Sequence, residues 1–387
     1  MKFLHIGTIL SCLFATLSIQ AQEFNVFYNQ IVQNTSSANI LEDLITFEDF
    51  GVKEPGTDEI EDTKNWIMER YQSLGYTDIE TQSFRVFGQS TSNIIITKTG
   101  SLYPNTFVII DGHYDTVNGP GTNDNGSGTV LILELARLLK NVDTEYSIKF
   151  IHFSGEEAGL IGSEFYVNQT VIPQNLDIKL VMNIDQIGGR AGAANNTIVC
   201  ERDLNPSPSS NNAQSAVVTQ EMANCFALYS NLQTEISYAY GSDYMPFERN
   251  GEIITGIYEK NESSYPHTSG DLLQNMDADY VFKVTQGMLG AALHFAGARE
   301  QLAVTDYDLA QRIVISPNPS HGKISIHLPS SSPETVSMAL YDSLGKVIET
   351  YLFRDRISFL DLSHLSNGIY HAVFNIENQS IAKRIIL

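Results

Sequence analysis

The sequence predicts an α/β fold: a three-layer sandwich around a mostly parallel mixed sheet, followed by a small antiparallel β-sandwich. Three observations predict it. Between residues 22 and 304, short apolar runs alternate with segments of helical periodicity, the signature of a sheet covered by helices. From residue 305 onward only short alternating stretches occur, separated by turns at near-regular spacing. The charge changes at the same place. The 387 residues hold 45 Asp+Glu against 23 Lys+Arg, a net charge of -22. Residues 305–387 hold 8 acids and 7 bases, so the acid excess lies upstream, and a shift that sharp marks a boundary.

In chain order, residues 1–21 read as a secretory signal peptide. Lys2 precedes an apolar run from Ile6 to Leu17, and small and polar residues lead to Ala21. Cys12 lies inside the run, with Ser11 where a lipoprotein cysteine usually follows Gly or Ala. The run is too short for a membrane span, and no other segment approaches eighteen unbroken apolar residues. In the region 22–304 the spacing of Ile60, Trp66, Ile67, Tyr71 and Leu74 predicts a helix over 58–74, stopped by Gly75. Strands are expected over 79–87, 93–98, 106–110, 147–153, 179–184 and 253–257. Helices are expected over 127–140, 162–169, 212–229 and 277–295. Residues 186–211 and 230–250 give no clear pattern. In 305–387 seven short strands argue an antiparallel sandwich.

Composition excludes some functions. An acidic chain has little from which to build the basic face that nucleic acid requires, and anionic membrane surfaces are disfavoured. Apolar content of 42% is too high for a disordered acidic polymer. Cys200 and Cys225 remain after the signal peptide. In an oxidising compartment they could form one disulfide, and their spacing does not decide it.

In helix-covered parallel sheets, sites form at the carboxyl ends of strands. The expected strand ends carry His113 and Asp115 in Asp-Gly-His-Tyr-Asp-Thr, then Glu156 and Glu157 in Ser-Gly-Glu-Glu-Ala-Gly, then Asp185, and a loop with His267. Asp124 lies in Asn-Asp-Asn-Gly-Ser-Gly, opening a helix. Two imidazoles with three carboxylates suit a pair of borderline cations such as Zn2+. A pair of ions needs a bridging carboxylate and room for a water. In the Glu156-Glu157 pair, one carboxylate can bind metal while the other accepts a proton. Asp115 is within reach of the second ring nitrogen of His113. Singly, each piece has a structural explanation: a core His–Asp pair, a solvated Glu-Glu, a turn before a helix. His152, His294 and the four His of 305–387 are read as structural. What points to chemistry is the ordered set at successive strand ends.

That set resembles peptidase family M28, the secreted co-catalytic dizinc aminopeptidases, over about residues 40–295. Gly-Val-Lys-Glu-Pro-Gly-Thr at 51–57 fits as well. The resemblance implies that Asp124 bridges two Zn2+, with His113 and Asp185 completing one and Glu157 and His267 the other. It implies Glu156 as general base, Asp115 as the residue orienting His113, and peptides with a free N-terminus as substrates. Ser242-Asp243-Tyr244 departs from the family where His often follows Ser-Asp. Tyr238, Tyr240 and Tyr265 are the candidates for a tyrosine that assists the oxyanion. Glutaminyl cyclases share this fold, and a secreted peptide-binding protein on a peptidase scaffold is a further alternative.

The C-terminal stretch resembles the sorting domain of the type IX secretion system. The carriers are Ser316-Pro317-Asn318-Pro319, Tyr341-Asp342 with Gly345-Lys346, Asn367-Gly368-Ile369-Tyr370 and the terminal Lys383-Arg384-Ile385-Ile386-Leu387. It implies export across a Gram-negative outer membrane, with the secretion machinery as partner of 305–387. A carbohydrate-binding or adhesive sandwich is the alternative. The expected organisation is thus 1–21 signal peptide, 22–304 zinc peptidase domain and 305–387 sorting domain.

Overall fold

The computed structural model describes residues 22–300, 312–329, 335–376 and 379–387. The expected signal peptide and the expected boundary at 304/305 lie outside the described residues. The chain begins with α1 (Val26–Val32), α2 (Ser37–Asp49) and α3 (Asp58–Ser73), then β1 (Ile79–Val86), β2 (Gln89–Lys98) and β3 (Tyr103–His113). After a tight turn (Thr122–Ser127) come α4 (Gly128–Leu139), β4 (Asp143–Thr144), β5 (Tyr146–Phe153), α5 (Ile161–Tyr166), α6 (Ile172–Gln174) and β6 (Asp177–Ile184). There follow β7 (Thr197–Arg202), α7 (Asn212–Tyr229), β8 (Gln233–Tyr238), α8 (Met245–Arg249), β9 (Ile254–Glu259), α9 (Ala278–Phe295) and β10 (Ala298–Arg299).

Eight of these strands form one sheet in the order β1-β2-β5-β3-β6-β9-β7-β8. Its centre, β5-β3-β6-β9, is parallel. The outer pairings β1-β2, β2-β5 and β7-β9 are antiparallel, and β7-β8 is parallel. Alternation along the central strands sends side chains to two cores. Val108, Ile110, Ile148, Phe150, Leu180 and Met182 pack under α4, α7 and α9. Ile109, Ile151, Phe153 and Val181 pack with Tyr166 of α5 and Phe247 of α8. Each such side chain contributes roughly 1.5–3 kcal/mol by burial. The central strands are apolar on both faces because both faces are covered.

Local chemistry fixes the helix ends. Thr57 caps α3 by accepting from the Ile60 N–H, and three acids occupy the first turn. Ile60, Thr63, Ile67 and Tyr71 form its buried stripe, and Gly75 at φ +82° follows its end.

The structure departs from the sequence reading in several places. β3 runs to His113, beyond the expected end at 110, so Asp111 and His113 are strand residues. The unread stretches 186–211 and 230–250 contain β7, β8 and α8. Helices α1 and α2 precede the first expected one. Cys200 and Cys225 are both buried and both free, so the chain's core stands without that disulfide.

The C-terminal part is β11 (Val314–Ser316), β12 (Lys323–His327), β13 (Val336–Tyr341), β14 (Val347–Phe353), β15 (Ile357–Asp361), β16 (Ile369–Ile376) and β17 (Gln379–Ile386). They form antiparallel sheets β11-β12-β15 and β14-β13-β16-β17. Ile324, Ile326, Met338, Leu340, Phe374 and Ile385 fill the space between them. Phe24, just before α1, stacks on Tyr229 of α7 and on Tyr341 of β13.

Candidate metal centre

The parallel strands β3, β5, β6 and β9 end on one edge of the sheet, and their last residues converge. His113 is the last residue of β3, Glu156 and Glu157 follow β5, Asp185 follows β6, and His267 lies in the loop after β9. Asp124 enters from the turn before α4.

Two groups result, and Asp124 belongs to both: His113, Asp124 and Asp185, and Asp124, Glu157 and His267. Within each group the ligand atoms lie within 4.8 Å of one another. His113 Nε2 is 3.4 Å from Asp124 Oδ1 and 3.5 Å from Asp185 Oδ1. His267 Nε2 is 3.2 Å from Asp124 Oδ2 and 2.9 Å from Glu157 Oε2. The two oxygens of Asp124 thus face opposite imidazoles. A tetrahedral zinc with bonds of about 2.0–2.2 Å separates its ligand atoms by roughly 3.3 Å, close to these spacings.

Asp124 Oδ2, Glu157 Oε1 and Asp185 Oδ1 are buried and accept no hydrogen bond. A native interior rarely leaves buried acceptors unmatched; Asp111 and Asp243 share that state outside both groups, so it is the imidazoles beside Asp124, Glu157 and Asp185 that mark these three as candidate cation ligands. Burial pushes the carboxyl of Glu157 up to about 8, with Asp124 beside it acting in the same direction. Glu156 is driven well above the usual carboxyl range, first by burial and then by Asp243, Asp185 and Asp115, with His113 opposing. So many carboxylates out of water require positive charge among them. The residues present therefore fit two zinc ions.

Asp115 acts differently from the expectation that its carboxylate holds His113. Its backbone carbonyl accepts from His113 Nδ1 at 3.1 Å, while its Oδ1 is 3.7 Å from that nitrogen. With the proton on Nδ1, the Nε2 lone pair faces the carboxylates, as a metal-binding imidazole requires. The Asp115 carboxylate instead accepts the backbone N–H groups of Glu156 and Glu157, each at 3.3 Å, and so shapes the loop that presents them. Glu156 Oε2 lies 4.0 Å from His113 Nε2, beside the ligand cluster.

Some contributors were not foreseen. Ser242 donates to Asp185 Oδ2 at 2.8 Å and accepts from Asn183 Nδ2 at 3.0 Å, fixing that carboxylate. Asn183 lies two residues before Asp185 on the same strand face, which is the signal that could have found it. Tyr244 does not face the cluster. It is buried, donates to Glu201 at 2.8 Å and accepts from the Tyr240 N–H at 2.9 Å. Tyr238, Tyr240 and Tyr265 are all exposed by 40% or more. His267 has φ +58° and a side chain 56% exposed. A non-glycine residue in that left-handed region is held there by its surroundings.

The fold is shared with solved enzymes. The LapA aminopeptidase of Legionella pneumophila aligns with a TM-score of 0.63 at 22% identity, over 78% of this chain and 81% of that one. The glutaminyl cyclase of Fimbriiglobus ruber aligns at 0.56 and 17% identity, over 67% of this chain and 95% of its own. At such identities the likeness concerns the fold alone. Residues 93–292, half of the chain, match the model of peptidase family M28, and the chain belongs to that family. Residues 314–387 match the secretion system C-terminal sorting domain. Aminopeptidase YwaD of Bacillus subtilis is 30% identical over 201 residues, which are 48% of this chain and 42% of that protein. The chain therefore matches less than half the length of that relative. No helix among the described residues is long and apolar enough to cross a membrane.

Proposed function

We propose that the chain is an exported zinc-dependent aminopeptidase that removes N-terminal residues from peptides. The observation that carries this is the pair of imidazole–carboxylate groups sharing Asp124 at the strand ends. His113 and Asp185 would hold one Zn2+, Glu157 and His267 the other, and Asp124 both. When bound, the ions supply Lewis acidity and lower the pKa of water from 15.7 toward about 7. Glu156, beside the cluster and not in either ligand group, accepts the proton of the attacking water and returns it to the leaving amine.

Family membership supports hydrolysis over a pure binding role, and both ligand groups and Glu156 are present. The likeness to a glutaminyl cyclase fold does not discriminate, because one fold hosts several chemistries. The sorting-domain match over 314–387 supports export through the type IX machinery; we read 1–21 as the signal peptide and place the division at 304/305 from the sequence pattern.

The test uses purified protein with aminoacyl-nitroanilides and a free or N-acetylated peptide. Chelation should abolish release of the N-terminal residue and zinc should restore it, while the acetylated peptide stays intact. Glu156→Gln should lose about 10²–10⁴-fold in turnover while retaining its zinc. Undiminished hydrolysis in chelator, or near-wild-type turnover in Glu156→Gln, would overturn the reading. Conversion of N-terminal glutamine to a lactam in place of hydrolysis would assign the cyclase chemistry.

A further inference from the structure

The acid that closes His267-Thr268-Ser269-Gly270-Asp271 has no part in the mechanism above. Asp271 is 2% exposed and lies four residues from the exposed His267. Its carboxylate belongs to neither ligand group. Oδ1 accepts the Asn123 N–H and Oδ2 accepts the Asp124 N–H, each at 2.9 Å. Its backbone carbonyl accepts the Thr122 N–H at 3.3 Å. One residue of the His267 loop thus grips three consecutive residues of the loop that carries Asp124. Glu48 of α2 closes the same seam, accepting from the Thr122 hydroxyl at 2.7 Å and from the Leu273 N–H.

The other side of the Asp124 loop has a clamp of its own. Asn125 donates to the Ile184 carbonyl at 2.7 Å and accepts from the Gln186 N–H at 3.3 Å. Those two residues flank Asp185. The Asp124 loop is therefore held from two sides: Asn125 ties it to the Asp185 side, and Asp271 ties it to the His267 side.

We propose that Asp271 is a positioning residue that sets the affinity of the Asp124–Glu157–His267 group for its metal ion, with a smaller effect on the His113–Asp124–Asp185 group, which shares Asp124 but has its own clamp at Asn125. The inference rests on the two-metal reading above. A carboxylate is the acceptor this role requires, because it offers both oxygens to neighbouring N–H groups with charge-assisted strength. An amide would turn one acceptor into a donor facing a backbone N–H.

The experiment is zinc titration of the full chain against a competing chelator, resolving two affinities. Wild type is compared with Asp271→Asn, and His267→Ala and His113→Ala identify which ion each affinity belongs to. Asp271→Asn should weaken one site by about 10–100-fold, the usual effect of removing a residue that orients a metal ligand. That site should be the one lost in His267→Ala, with the site lost in His113→Ala little changed. A merely structural defect would weaken both alike. Thermal unfolding of the metal-free proteins checks that Asp271→Asn folds. If it does not, Glu48→Gln loosens the same seam while keeping Asp271, and it should weaken the same site. Equal weakening of both sites in a folded variant, or of neither, overturns the proposal. Wild type that binds two zinc ions beside an unaltered Asp271→Asn sinks this inference alone. Wild type that binds none removes the two-metal reading and this inference with it.

Discussion

His152 makes the α/β unit sensitive to acid, and the size of the effect follows from its surroundings. The ring is fully buried in β5. Its Nε2 lies 2.9 Å from the Tyr71 hydroxyl, and its Nδ1 has no hydrogen-bond partner. A charged imidazolium would need acceptors on both nitrogens and has one. Burial accordingly drops the ring from 6.5 to about 3. The folded state therefore binds this proton more weakly than the unfolded state. The stabilisation is complete above pH 6.5 and is lost as pH falls through that value toward 3. At about 1.36 kcal/mol per pKa unit the full effect is roughly 5 kcal/mol, of which about 2 kcal/mol is gone at pH 5. His152→Gln removes the titration and leaves a side chain that can meet Tyr71. It should be less stable than wild type at pH 7.5 by about 1–3 kcal/mol from lost fit and hydrogen bonding. That deficit should shrink by about 2 kcal/mol at pH 5. Urea unfolding with chelator present measures it. Trp66, the single tryptophan, sits on α3 with Tyr71 and reports on the α/β unit alone. Metal-site titrations occur in both proteins and cancel in the difference. A deficit that stays constant from pH 7.5 to 5 would refute the reasoning.

Three further outcomes are expected. Gly119→Ala would place a Cβ 1.9 Å from the Thr268 carbonyl oxygen, one residue past His267, so backbone must move. It should impair zinc retention at equal folding, measured as metal content after gel filtration. Tyr244→Phe removes the donor to Glu201, whose carboxyl burial has already pushed up to about 8. It should destabilise the fold by about 1–3 kcal/mol, read from the urea midpoint. Cys200 and Cys225 are free, and burial raises both thiols. A thiol reagent should leave them untouched in the native protein and modify both after unfolding, and reductant should leave the melting temperature unchanged.

The sequence made the parallel centre of the sheet legible because its strands carry short apolar runs, as at 107–110 and 180–182. It hid where β3 ends. Asp111 looks like the start of a loop, yet its backbone continues the ladder with Ile151 and Asn183. β8 was hidden for the opposite reason. As an edge strand with mostly exposed side chains it lacks the alternation that marks a half-buried strand. The ligand candidates stood out because chemistry at strand ends needs particular residue types. The groups that hold them did not, since Asn183, Ser242 and Asp271 act through contacts across the fold that no spacing rule reports.

The acid excess takes on a second meaning in this light. From the sequence it reads as surface charge, with five carboxylates set apart for the site. Three buried acids share a role that composition cannot show. Asp115 accepts two backbone N–H groups, from Glu156 and Glu157. Asp271 accepts two, from Asn123 and Asp124. Glu259 accepts two, from Gly189 and Ser263, and also the side-chain amide of Asn123. Each clamps loops at the carboxyl edge of the sheet, where regular ladder hydrogen bonds have ended and backbone donors need other partners. A carboxylate meets two such donors at once. Carboxylate therefore serves twice at this edge: as clamp for the loops, through backbone N–H groups, and as candidate metal ligand, through oxygens left without a donor. The two uses are told apart by whether an oxygen accepts a backbone N–H or faces an imidazole, which is why the structure separates Asp271 from Asp124 while the sequence shows two acids alike.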